Sequence, residues 1–127
     1  ASSNYLWRAT LDTIDFMPLA SANYSGGIVV TDWYAENNSS EESIKISIRF
    51  LSNEIRADAL KIQVFSKECE KTLNCKVTQN NPRIENELKA AILKKAARIE
   101  KEKITKNKKD NPYMGTQSAG GDSETTN

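Results

Sequence analysis

The stretch SIKISIRFLS, Ser43 to Ser52, constrains the fold of this chain more than any other. Ile44, Ile46, Ile48 and Phe50 alternate strictly with Lys45, Ser47 and Arg49. A period of two puts every apolar side chain on one face of an extended strand and every polar one on the other. A strand of this kind belongs to an antiparallel sheet with one face packed and the other wet. ALKIQVFSK repeats the pattern, with Leu60, Ile62 and Val64 alternating with Lys61 and Gln63.

The remaining strands are read around these two. MPLASAN is a weak strand candidate, and the turn signal NYSGG comes after it. IVVTDWYAE has the strongest strand composition in the chain. One parity of that segment holds Ile28, Val30, Asp32 and Tyr34, and the other Val29, Thr31 and Trp33. Neither is cleanly apolar, which implies a central strand covered on both sides or a strand interrupted by a bulge. A last short strand through Leu73, Cys75 and Val77 pairs back on ALKIQVFSK, so that Cys69 and Cys75 face each other across a hairpin.

Two helices flank the strands. Asn4 to Phe16 is amphipathic, with Leu6, Ala9 and Thr13 on one stripe and Trp7, Leu11 and Ile14 beside it; Ser2, Ser3 or Asn4 caps it and Pro18 stops it. The segment NNPRIENELKAAILKKAARIEKEKITK opens with Asn81 as cap and Pro82 at the first helical position. Its stripe is Ile84, Leu88, Ala91, Ile92, Ala96 and Ile99. The expected fold is therefore α+β: an N-terminal helix, a four- to five-stranded antiparallel sheet and a long C-terminal helix packed on it. Residues 1–106 form one domain, and 107–127 a flexible polar tail.

Composition narrows the chemistry. The 127 residues include no histidine, so the usual general base near neutral pH and the commonest metal ligand are both missing. Asp12, Asp15, Glu36 and Asp58 are scattered, with no pair held at the separation that acid–base catalysis needs. A non-enzymatic protein without metal or cofactor is expected. Cys69 and Cys75 lie too far apart for a Cys-x-x-Cys site and lack further ligands for zinc. A hairpin disulfide fits the spacing, with two unpaired thiols as the alternative. The bond would add about 2 kcal/mol in the chain-entropy model and argue for an oxidising compartment.

Gly26 and Gly27 read as a turn, since a phosphate loop needs a lysine and a helix immediately after it. Asp32 is expected to take a hydrogen bond or salt bridge from Thr31, Arg49 or Arg56, because a carboxylate beside a tryptophan is costly to bury alone. Trp33 reads as core or half-core; the functional alternative has Trp33 and Tyr34 anchoring a partner at the sheet edge. The net charge is +1, with basic residues concentrated on the last helix. Glu85, Glu87, Glu100 and Glu102 are interleaved with them and no aromatic accompanies them, so a solvated face is expected rather than a nucleic-acid surface.

The blocks YLWRATLDTIDFMPLASANYSGGIVVTDWY, IRFLSNEIRADALKIQVF and IENELKAAILKKAARI resemble domain-of-unknown-function family three-five-seven-six, found in envelope proteins of alphaproteobacteria. The resemblance runs from Tyr5 to Ile99 and departs at SKECEKTLNCKVTQNN, where the family hairpin lacks cysteines. A shorter segment, GGIVVTDWYAEN, is similar to part of the C lipoprotein of the β-barrel assembly machinery, through Gly27, Thr31, Asp32 and Trp33. These resemblances imply a helix-grip-like envelope domain in the periplasm or at the inner face of the outer membrane. They also imply a tether upstream of Ala1, other envelope proteins as partners, and an accessory role in outer-membrane protein assembly. The partner site is expected in the groove between sheet and long helix, around Asp32, Trp33, Tyr34 and Arg49. The alternative implied by helix-grip folds is a carrier of a small apolar ligand or lipid.

Overall fold

A computed structural model describes residues 4–35, 41–71 and 73–110, so that Ser2, Ser3 and Glu36 lie outside the described residues. The helix α1 (Tyr5–Thr13) leads into strands β1 (Leu19–Asn23), β2 (Ile28–Thr31), β3 (Glu42–Phe50), β4 (Leu60–Glu70) and β5 (Asn74–Thr78), and helix α2 (Pro82–Asp110) ends the order. A short 3-10 turn (Ala57–Ala59) precedes β4. The strands form one antiparallel meander in the order β1-β2-β3-β4-β5, so the fold is α+β as the sequence implies.

Alternation decides which face is covered. In register, Val29 stands opposite Ile48 and Ile48 opposite Ile62, while Ile46 stands opposite Val64. Paired residues share a face, and Val29, Ile46, Ile48, Leu60 and Val64 are all buried there. Both helices lie on that face, α1 contributing Leu6 and Ala9, the residue after it Ile14, and α2 contributing Ile92 and Ala96 to the same core. Each large aliphatic side chain buried in this way contributes roughly 1.5–3 kcal/mol. The stripe of α2 runs through Ile84, Leu88, Ile92, Ala96 and Ile99, all packed in or against the core. Ala91, which the sequence pattern assigns to that stripe, is exposed, because a step of three from Leu88 rotates off a stripe that advances mainly in fours.

Local chemistry sets the element ends. Asn4 caps α1 by accepting from the Trp7 N–H at 3.0 Å, and Asn81 caps α2 by accepting from the Ile84 N–H at 3.3 Å. Glu85 closes the second cap from within the helix, its carboxylate accepting from the Asn81 N–H at 3.3 Å and from the Val64 N–H at 2.9 Å. β5 stops opposite Ser66, so Val64 is beyond the reach of its ladder. The Glu85 carboxylate takes that place and pins the start of α2 to the sheet. The helix then continues through Asn107 to Asp110, into the segment that composition marks as a tail; 111–127 lies outside the described residues. With 29 residues α2 is about 44 Å long, and Ile99 is its last residue packed against the core, so the turns beyond it carry no core side chain.

The cysteines form a disulfide. They stand directly opposite each other in the β4–β5 register. The Cys69 N–H points the other way, donating to the Glu41 carbonyl at 2.7 Å. Cys69 and Cys75 are thus a non-hydrogen-bonded pair, the position at which side chains across an antiparallel ladder come closest.

The glycine pair lies in the β1–β2 turn, as expected. The Asn23 side chain accepts from the Gly26 N–H at 2.8 Å. Gly27 takes φ +68°, and a Cβ there would stand 3.2 Å from the Phe50 carbonyl oxygen. Gly27→Ala is therefore expected to destabilise the fold by about 1–2 kcal/mol. Gly26→Ala, whose added carbon meets only the Asn23 side chain, costs less. Urea unfolding of the two variants tests this ordering.

Candidate functional site

An irregularity at the end of β2 shapes the candidate surfaces. Val30 pairs with Ser47, and Tyr34 next bridges Ile44, so three residues of one strand face two of the other. This is a β-bulge. The Thr31 hydroxyl holds it, accepting the Ile46 N–H at 2.9 Å inside the core, while the Asp32 N–H donates to the Pro18 carbonyl at 2.9 Å. Thr31 is fully buried.

The extra residue reverses the parity of the positions beyond it. Uninterrupted alternation places Trp33 with Val29 and Thr31, and Tyr34 with Ile28 and Val30. After the bulge Tyr34 joins the helix-covered face with Ile44, and Trp33 turns to the opposite, open face. There the Lys67 Nζ lies 4.5 Å from the centre of its ring and the Lys45 Nζ 5.9 Å. Trp33 is half-buried under those ammonium groups and takes no part in the core.

The residues expected to form one partner site are thus separated. Tyr34 meets the Phe16 ring edge-on at 5.3 Å. With Ile44 and Ile84 these rings wall a cleft of about 470 Å³ between the far end of the sheet and the first turn of α2, rimmed by Glu42, Glu68 and Arg83. Trp33 and Arg49 are on the other face, and Arg49 stands opposite Ile28, four residues along β3 from Lys45. Asp32 is exposed on the bulge and forms no bond with the donors expected for it. The Thr31 hydroxyl is turned into the core, where it accepts from the Ile46 N–H, and Arg56 pairs with Glu54 and Asp58 at 2.6 and 2.7 Å. Turned to water, the carboxylate needs no protein donor.

The open face carries Ile28 and Val30 from β2, Lys45, Ser47 and Arg49 from β3, Lys61, Gln63, Phe65 and Lys67 from β4, and Val77 from β5. Among the described residues no helix crosses it. The sequence places Lys45, Arg49 and Lys61 on the polar side of their strands, but alternation alone does not assemble them with Trp33 into one surface. Among the described residues no group of His, Cys, Asp and Glu is arranged to hold a metal ion, and no helix is long and apolar enough to cross a membrane.

Residues 1–101 match the family described as a domain of unknown function, DUF3576. The chain belongs to this family. It is similar to an uncharacterized protein of Rickettsia prowazekii, with 33% identity over 97 residues, covering 76% of the chain and 58% of the relative. The chain thus spans little more than half the length of that relative. No solved structure matches it significantly.

Within this DUF3576 domain the bulge depends on one hydroxyl. Thr31→Val keeps the shape but strands the buried Ile46 N–H, and is expected to cost about 1–3 kcal/mol. Thr31→Ser retains the acceptor and costs less. Chemical denaturation monitored by tryptophan fluorescence measures both, and equal losses would assign Thr31 a packing role alone.

Proposed function

We propose that the chain is a non-enzymatic protein-binding domain of the bacterial cell envelope, acting as an accessory in outer-membrane protein assembly. The observation that carries the binding role is the open sheet face, where a tryptophan, a phenylalanine and aliphatic side chains lie among cations on the side away from the helices. Aromatic side chains and arginine are enriched in protein interfaces, and Trp33, Phe65 and Arg49 supply them here. The compartment is supported by the Cys69–Cys75 disulfide, since such bonds persist in oxidising surroundings. The role in assembly rests on the similarity of GGIVVTDWYAEN to a segment of an assembly lipoprotein.

The carrier alternative has one specific support, the cleft of about 470 Å³ beside Phe16 and Tyr34, a volume suited to a small ligand. It opens at the sheet end, whereas the space between helices and sheet is filled by Ile46, Ile48, Val64, Ile92 and their neighbours. A carrier would therefore use the sheet end and not the interior.

The two readings separate by face. A photoreactive phenylalanine analogue in place of Ser47, introduced in living bacteria, is expected to crosslink the domain to envelope proteins. Trp33→Ala should remove those crosslinks without lowering the melting temperature by more than a few degrees, and Tyr34→Ala should leave them in place. Absence of crosslinks from position 47, together with a small apolar molecule that co-purifies and is lost in Tyr34→Ala, would replace the protein-binding reading with the carrier.

A further inference from the structure

Four cations project from the open face, Lys45 and Arg49 from β3 and Lys61 and Lys67 from β4. Arg49 and Lys61 stand directly opposite each other, and both are exposed. Like charges in that relation destabilise a sheet. Among the described residues none of the four forms an ion pair, whereas Arg56 is bracketed by Glu54 and Asp58 and Arg83 pairs with Glu87. Acidic residues lie at the margins of this group: Glu41 beside Cys69 at the disulfide end, Asp32 on the bulge, and Glu42 and Glu68, which line the cleft that Lys67 also borders. Positive charge is therefore gathered across the middle of this face.

Its layout is specific. Lys45 and Lys67 gather at Trp33, and Arg49 and Lys61 lie further along, Arg49 being four positions, about 13 Å, from Lys45 on β3. Between the two pairs lie Phe65, opposite Lys45, and the row of Val30, Ser47 and Gln63. We infer that this face binds an extended, acidic polypeptide segment of a partner protein. Carboxylates at the two ends meet the two cation pairs, and small apolar side chains between them rest on Phe65 and Val30. The inference rests on the protein-binding reading above and names the chemistry of the partner. The placement of Trp33 weighs against other polyanions. Its ring lies under two ammonium groups, so it offers no free platform for a nucleobase and no protruding wedge for a bilayer.

The test uses the full chain and a fluorescent peptide of alternating glutamate and valine, with a glutamine–valine peptide, oligothymidylate and phosphatidylglycerol vesicles as comparisons. The acidic peptide is expected to bind, with affinity falling as salt rises. Lys45→Glu with Lys67→Glu should weaken it by about tenfold or more. Lys61→Glu should weaken it too, while raising the melting temperature, because an opposite-charge pair then replaces the like-charge pair with Arg49. That rise rules out unfolding as the cause. The same reversal at Lys94 and Lys101, exposed on α2, should leave affinity unchanged. The inference is overturned if the glutamine peptide binds equally well or if the α2 reversal weakens binding as much. It is equally overturned if oligothymidylate or the vesicles bind more tightly than the peptide through the same lysines. Crosslinks from position 47 that survive Lys45→Glu with Lys67→Glu would sink the acidic-segment inference alone, whereas absence of crosslinks in the unaltered chain would remove the protein-binding reading beneath it.

Discussion

Ile46 and Ile48 on β3 are the contact on which the architecture depends. They occupy the centre of the meander, and both helices converge on the same core through Leu6, Ala9, Ile92 and Ala96. Because the side-chain period of a strand is two, a slip of one residue would exchange these isoleucines for Lys45, Ser47 and Arg49 across the whole strand. That exchange would bury cations under the helices, so the register with β2 and β4 is strongly specified. One packed strand thereby determines two surfaces, an aliphatic one that the helices cover and a cationic one that they leave open.

The bulge at Thr31 is where this division is modified. A regular β2 would send Trp33 beneath the helices and Tyr34 to the open side. The single inserted residue moves the indole among lysines and the phenol into the aromatic wall beside Phe16. The insertion is tolerated because the backbone groups it displaces have partners, the Ile46 N–H on the Thr31 hydroxyl and the Asp32 N–H on the Pro18 carbonyl. Unpaired and buried, such groups would each cost about 1–3 kcal/mol. The same logic operates at the other side of the sheet, where Glu85 accepts from Val64 once β5 has ended. Both irregularities are side-chain substitutes for missing ladder bonds, and each sits where a candidate binding surface begins.

Much of the fold is legible from periodicity alone. The alternation through Ile44–Phe50 and Leu60–Val64, the caps at Asn4 and Asn81, and the opposition of Cys69 to Cys75 depend on neighbours close in sequence or on one hairpin register. The candidate site is less legible. Whether Trp33 points up or down depends on a hydrogen bond between Thr31 and Ile46, fifteen residues apart, which no local pattern encodes. The same bulge turns Asp32 to solvent and removes its need for Arg49 or Arg56. Tyr34 and Arg49 share a strand pair with Trp33, but proximity along a ladder does not specify a face. In the sequence Glu85 is visible only as an acid interleaved with the basic residues of the last helix, and its bond to the Val64 N–H requires knowing where β5 stops.

β5 shows how the open face and the disulfide are related. All five of its residues are exposed, so the strand buries no side chain in the core. Its ladder with β4 and the Cys69–Cys75 bond are what hold it. A two-stranded ribbon without a packed face is marginal in water, and a covalent link that limits the open ensemble compensates for the burial that β5 lacks. What the strand adds is width to the open face, where Val77 lies beside Lys67. The crosslink thus secures a part of the sheet that matters little to the core and extends the surface on which the cations are displayed, which is where a stabilising device is expected if that surface, rather than the interior, has work to do.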